Sequence, residues 1–233
     1  MEHVLLTLEG VTKTQGSLAL LSDISLTLCA GKVCGVFGPK ESGKSLLLRL
    51  ITGLVPPKSG RIEVLGHAPT SANARATMAY LPDASSLPSH MTVSELSSFY
   101  AAMFADFDKA KADALIAELK VKTDKRVGDM SRSTKEVIQL VFTLSRRARL
   151  YLLDMPIVGT QAAKELTFRL IREAIREDSA VLFTAETPEE TEELIDAFLI
   201  LSEGKIALAG NTAAFRAEND VTLTEKYREV VSC

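Results

Sequence analysis

The sequence predicts an α/β fold: a mostly parallel sheet covered on both faces, with an all-helical insert in its middle. Three observations predict it. Short apolar runs of strand length alternate with amphipathic segments of helix length in the first and last thirds of the chain. The middle third carries three helix patterns in succession with no strand run between them. The length, 233 residues, is near the limit of one hydrophobic core, so one large unit with an inserted subdomain fits better than a string of modules.

The elements follow in order. Val4-Leu5-Leu6-Thr7-Leu8 and residues 18–28 read as strands, punctuated by Gly10, Gly16 and Gly31. Residues 32–37 form a compact apolar run too short for a helix, suited to a strand buried on both faces. Residues 44–52 are leucine-rich at helical spacing and stop at Gly53, with Pro56-Pro57 beyond. A strand over residues 61–65 precedes Gly66. Thr92-Val93-Ser94-Glu95 has capping-box spacing and should open a helix to about Phe104. A second helix is expected over 108–119 and a third from Ser133 to about Arg147. Then come a strand over 150–153, a helix over 164–177, a strand over 180–184, an acidic helix over 188–196, and closing strands over 197–201 and 205–209. These boundaries make residues 1–233 one domain, with a core over 1–83 and 147–233 and a helical subdomain over about 84–146.

Composition narrows the function classes. Apolar residues are 46% and charged residues 24%, as in an ordinary globule. Lys plus Arg number 27 against 30 Asp plus Glu, a formal charge of −3, so no nucleic-acid partner is expected. Cys29, Cys34 and Cys233 form no CxxC pair and no ligand-like spacing with the three histidines, which argues against a disulfide framework or zinc site and for a reducing compartment. No apolar run is long enough to cross a bilayer, and Met1-Glu2-His3 does not open a secretory signal.

One motif carries chemistry by itself. Gly38-Pro39-Lys40-Glu41-Ser42-Gly43-Lys44-Ser45 fits G-x-x-x-x-G-K-[ST] in full, after a strand and at the start of a helix. The glycines allow a tight turn whose N–H groups converge on phosphate oxygens at a helix N-terminus. Lys44 would reach the β- and γ-phosphates, and the Ser45 hydroxyl would hold Mg²⁺. Such a site needs a carboxylate at the end of an apolar strand, and Asp154 after Leu150-Tyr151-Leu152-Leu153 supplies it.

With these residues in place, the chain resembles the nucleotide-binding subunit of ATP-binding cassette (ABC) transporters along nearly its whole length. Ile51-Thr52-Gly53-Leu54 with Ser59-Gly60-Arg61-Ile62 is similar to the helix end and hairpin that follow that family's phosphate loop. Met78-Ala79-Tyr80-Leu81-Pro82 is similar to the approach to its Q-loop, and Met130-Ser131-Arg132-Ser133-Thr134 stands at its signature motif. Ser131 precedes Asp154 by 23 residues, the interval expected between signature and second Walker motif, and Asp154-Met155-Pro156 resembles the end of the latter. From Phe107-Asp108 through the helices the likeness is to small bacterial cassettes that pair with separate membrane subunits, often in exporters. The resemblance implies a P-loop NTPase of ABC type, with an N-terminal antiparallel β part, ATP and Mg²⁺ as ligands, and a transmembrane permease subunit as partner. It also implies a second ATP-binding subunit, as hetero- or homodimer, and a cytoplasmic place at the inner face of the membrane. The groove for the membrane subunit would run roughly over 83–100, with Leu87, Met91, Phe99 and Tyr100.

The chain departs from that pattern where the family does its chemistry. Met155 stands in place of the catalytic glutamate, and a thioether takes no proton from water; a general base is typically worth about 10²–10⁴-fold in rate. Glu186 stands in place of the switch histidine, offering an acceptor where the γ-phosphate needs a donor. Gln161, in Gly159-Thr160-Gln161, replaces the D-loop aspartate, and Ser133 replaces the signature glycine. Gln15 replaces the aromatic ring that stacks on adenine, and Asp83 the Q-loop glutamine, where it retains the capacity to hold Mg²⁺ through water. The expected subunit binds ATP-Mg²⁺ and scarcely cleaves it at its own site. Two other readings stay open at this point: a soluble regulatory or scaffold cassette, and a different P-loop NTPase such as a small-molecule kinase.

Overall fold

The computed structural model describes residues 3–157 and 160–231; the readings made at Met1-Glu2, Gly159 and Cys233 lie outside them. Among the described residues, nine strands form two sheets. β1 (Val4–Gln15), β2 (Leu18–Cys29) and β4 (Ser59–Val64) build a three-stranded antiparallel sheet in the order β2-β1-β4. β5 (Met78–Leu81), β6 (Leu150–Leu153), β7 (Ala180–Ala185), β3 (Val33–Phe37), β8 (Ala197–Ser202) and β9 (Lys205–Asn211) form the second, in that spatial order. All neighbours in it are parallel except β8–β9.

The strand period divides the interior into two layers. Val33 and Phe37, Ala79 and Leu81, Tyr151 and Leu153, and Val181 and Phe183 face one core, shared with the helical part. Their alternates Cys34 and Val36, Leu150 and Leu152, and Ala180 and Leu182 face the other, against the antiparallel sheet and α1 (Lys44–Ile51). β3, β6 and β7 are buried at every residue, which explains why they read as unbroken apolar runs rather than as alternation.

The helical part contains α3 (Val93–Met103), α4 (Lys109–Glu118) and α5 (Arg132–Leu144). The Thr92 hydroxyl accepts from the Glu95 N–H (3.2 Å) while the Glu95 carboxylate accepts from the Thr92 N–H (2.8 Å), the reciprocal box its spacing predicts. Asp108 caps α4 through the Lys111 N–H. Arg146 ties this part to the sheet: it grips Asp106 with two nitrogens (2.9 and 3.0 Å), donates to the β5 carbonyl of Met78 (2.7 Å), and lies 4.2 Å from the Phe104 ring centre.

Several expectations need correction. The acidic stretch 188–196 is not a helix. Its Thr191 and Leu194 N–H groups bond three residues back, to Pro188 and Thr191, so it forms successive turns. Four glutamates crowded on one helix would repel; here Glu190 pairs with Lys164, Glu192 with Arg216 and Glu189 with Arg228, each on a different element. α5 begins at Arg132, because Ser131 caps it, and ends at Leu144, three residues before the expected stop. The helix expected over 164–177 is α6 (Gln161–Ala174), capped by Thr160. Five described elements have no counterpart in the sequence reading: α2 (Ala72–Thr77), β5, the 3-10 turn Val127–Asp129, α7 (Thr212–Glu218) and α8 (Leu223–Val231). α2 and β5, of 6 and 4 residues, are too short for periodicity to register.

Candidate functional site

Parallel strands place their carboxyl ends along one edge of the sheet, where ligands of such sheets bind. Register aligns Phe37 with Ala185, Leu153 with Phe183, and Leu81 with Leu153. The residues just past those ends are therefore brought together: the loop 38–45 after β3, Asp83 after β5, Asp154 and Met155 after β6, and Glu186 after β7.

The loop turns as its glycines require. A Cβ on Gly38 would come within 2.3 Å of the Leu201 carbonyl and 2.5 Å of the Ser42 hydroxyl. Gly43 has φ +103° and a Cβ there would meet Leu21 at 2.6 Å. Lys44 is buried, and its ammonium donates to the Gly38 and Pro39 carbonyls (2.7 Å each) and to the Ser42 hydroxyl (3.4 Å). Burial pulls its pKa down, while the negative charges of Glu186 and Asp154 push it back up. Lys40 and Glu41 are at the exposed crest of the loop, with Glu41 at φ +65°.

Asp154 is 2% exposed. One of its oxygens, Oδ1, accepts from the Ser45 hydroxyl (3.0 Å) and the Thr184 hydroxyl (2.8 Å); the other, Oδ2, is buried and has no partner. Burial raises its pKa, the Thr184 and Ser45 hydrogen bonds oppose that, and nearby Asp83 raises it further. A buried carboxylate oxygen without a donor, beside a serine hydroxyl, is the hard oxygen pair that Mg²⁺ takes when its other positions go to phosphate and water. The donor set thus fits the metal, with Ser45 and Asp154 as its holders. When bound, the ion neutralises phosphate charge. Asp83 is exposed and reaches this pair only through its field.

Met155 is held at φ +49°, rare for a residue with a side chain, by its N–H bond to the Thr184 hydroxyl (2.9 Å). Thr184 therefore fixes both the aspartate and the residue after it. Sequence reading passed over it; the available signal was a hydroxyl in the otherwise apolar strand Ala180–Ala185, two residues before Glu186. Glu186 itself is joined to the loop, its backbone carbonyl accepting from the Gly38 N–H (3.3 Å).

The remaining predicted residues stand farther out. Gln15 is exposed at the tip of the β1–β2 hairpin, across from Leu18; the neighbours that this sheet gives Gly43 are Leu20 and Leu21. The Ser131 hydroxyl accepts from the Thr134 N–H and lies 3.1 Å from the Ser133 hydroxyl and 2.8 Å from that of Thr134, while Arg132 pairs with Glu136. Arg132, Ser133 and Thr134 line a cavity of about 590 Å³ whose other walls include Asp83, Asp154, Met155 and Thr160, but none of residues 38–45. Cys34, within β3, is buried, and burial with a contribution from Asp196 pushes its thiol up to about 12, so it is inert.

Comparison with known proteins agrees with this geometry. The ABC transporter family model matches residues 21–158. The Nod factor export ATP-binding protein I of Rhizobium leguminosarum bv. viciae is 30% identical over 227 residues, covering 94% of this chain and 73% of that protein. Its counterpart in Rhizobium sp. (strain N33) is 28% identical over 94% of this chain and 75% of its own length. Among solved structures, an ATP-binding subunit of an ABC transporter superposes with TM-score 0.88 at 21% identity, covering 97% of this chain and 99% of that one. A bacterial Atm1-family ABC exporter with ATP bound gives TM-score 0.80 at 20% identity over 99% of this chain and 41% of that one.

Proposed function

The chain belongs to the ABC transporter family as an ATP-binding subunit, and from that premise we propose that its own phosphate loop holds ATP-Mg²⁺ while scarcely cleaving it. The observation that carries the proposal is the pair of unlike strand ends. Lys44, Ser45 and Asp154 are set for a nucleotide and its ion, whereas Met155 offers no base beside them. Membership in this family sets aside the reading as a small-molecule kinase.

In cassettes that pair head to tail, each nucleotide lies between the loop of one subunit and the signature helix of the other. Paired with an intact cassette, this chain would contribute a site of its own that holds nucleotide as a clamp. It would also lend Ser131, Arg132, Ser133 and Thr134 to a partner site that turns over. As a homodimer, both sites would lack the base. The heteromeric or regulatory role is therefore the one its residues favour. The division into a core over 1–83 and 147–233 and a helical part over about 84–146 belongs to the same proposal, as does the export direction named in its relatives. Among the described residues no helix is long and apolar enough to cross a membrane. A place at the inner membrane face would then come through a separate permease subunit docking near 83–100.

Purified chain given ATP and Mg²⁺ should bind nucleotide and release phosphate slowly. Rapid release, abolished by Lys44→Ala, would overturn the proposal.

A further inference from the structure

The segment that leads from α4 to α5 carries positive charge that its surroundings leave unanswered. Lys120, Lys122, Lys125 and Arg126 are all exposed, and among the described residues none of them has an ion pair or a side-chain hydrogen bond. On the helices to either side the cations are paired: Lys109 with Asp113, Lys111 with Glu173 and Arg132 with Glu136. The segment is not a loose loop. Half-buried Val121 and buried Val127 pack into the core at its two ends. The Thr123 carbonyl accepts from the Ser94 N–H (3.0 Å), the Val127 N–H donates to the Met91 carbonyl (2.9 Å) and the Gly128 N–H to that of Ser89 (2.8 Å). Arg126 pairs through its backbone with Thr92, the cap of α3. Lys135 donates to the Gly128 carbonyl (3.0 Å), which holds a fifth positive charge beside the other four. Against them stand Asp124 and Asp129 in the same stretch and Glu95 in the first turn of α3, five cations to three acids on a chain of net charge −3.

We propose that residues 120–126 form a contact surface for a bilayer carrying anionic lipid headgroups. The proposal stands apart from the nucleotide site and uses none of its residues. Anionic headgroups present charge without a fixed register, and unpaired cations on an ordered backbone answer that field without first breaking ion pairs of their own. The cavity of about 590 Å³ touches Leu119 and Val121 but none of the four cations, so they stand outside it on the open surface. An array of long side chains of this kind suits a sheet of charge better than a protein partner that needs shape and fixed hydrogen bonds. α3, whose cap the Arg126 backbone pairs with, adds apolar surface: Phe99 is 40% and Met103 59% exposed, four residues apart on one face. Docked this way, the chain would meet the membrane directly as well as through a permease subunit.

Sedimentation of the whole chain with large vesicles reads the contact. In about 0.1 M salt the chain should bind vesicles of phosphatidylcholine and phosphatidylglycerol in equal parts, and should not bind vesicles of phosphatidylcholine alone. Each cation near such a surface is worth about fivefold, so the combined variant Lys120→Gln, Lys122→Gln, Lys125→Gln and Arg126→Gln should bind about 100-fold more weakly or worse. Lys58→Gln, Arg75→Gln and Lys205→Gln together remove three exposed cations from the turn before β4, from α2 and from β9, and should stay within a few-fold of wild type. Wild-type chain that ignores the anionic vesicles would overturn the proposal. So would a four-site variant, shown folded by circular dichroism, that binds them as well as wild type. Binding to soluble polyglutamate at least as tight as to the vesicles would assign the segment to an acidic polypeptide instead and likewise overturn it.

Discussion

The carboxyl end of β3 and those of β6 and β7 lie side by side on one sheet edge, yet on the proposed reading they depart unequally from what ATP cleavage requires. The β3 end retains both glycines, the lysine and the serine, and its tight packing leaves no room for a Cβ at Gly38 or Gly43. The β6 and β7 ends keep Asp154, and Thr184 holds the backbone in place. Their reactive positions, however, carry a thioether and an acid. On the proposed reading, binding and cleavage would be separable in this molecule. The first would depend on backbone shape, which packing enforces, and the second on single side chains that the fold does not need.

The sharpest way to break that comparison is to restore the second region. Met155→Glu with Glu186→His should raise phosphate release by about 10²–10⁴-fold over wild type, the usual worth of a general base. No gain in a folded double variant would mean that the β6 and β7 ends are not what limits turnover. Removing the anchor of the first region comes next. Lys44→Ala should weaken nucleotide affinity by about 10–100-fold, the cost of one hydrogen bond from a charged group, read by calorimetry. Thr184→Val tests whether the two regions share a support. It leaves the Met155 N–H and Asp154 without their partner and should lower unfolding free energy by about 1–3 kcal/mol in urea melts, along with the Mg²⁺ dependence of binding. A change confined to stability would separate the support from the site.

The smallest effect concerns the helical part, which should be independent of both strand ends. Thr92→Ala should cost about 1 kcal/mol of stability through loss of the α3 cap and leave nucleotide affinity untouched. The same cap predicts a pH dependence. Hydrogen bonds from Thr92, first the one its backbone N–H donates to the carboxylate, lower the Glu95 pKa below its ordinary 4.5. Because the folded value lies below the unfolded one, the stabilisation is fully present above pH 4.5 and disappears as pH falls through the lowered value. Acid melts of wild type and Glu95→Gln should converge there, since the variant carries no charge to lose; curves that remain parallel would deny the box a charged partner.

Legibility in the sequence followed the range of the forces involved. The phosphate loop, the cap at Thr92, and the runs that became β3, β6 and β7 are decided within about ten residues, where spacing and side-chain type suffice. The start of α5 moved by one residue and that of α6 by three because Ser131 and Thr160 took the caps. Residues 188–196 looked helical by composition but became turns, since their glutamates found cations on α6, α7 and α8. α8 gave no periodic signal strong enough to read, and its buried Leu223 and Tyr227 join the core that faces the helices.

Sequence alone determined the alternation of buried strands with helices around the motif at residues 38–45, and the letters Met155 and Glu186 on which the proposed loss of cleavage rests, because each is a local pattern or a single residue. Tertiary structure decided that Asp154, Met155, Thr184 and Glu186 share one edge with Lys44, that one oxygen of Asp154 is left without a donor, and that Glu186 is pinned to Gly38. Those facts come from parallel strand register and from contacts between residues 29 to 148 positions apart. No periodicity records such contacts, because packing of the whole sheet is what brings them into range.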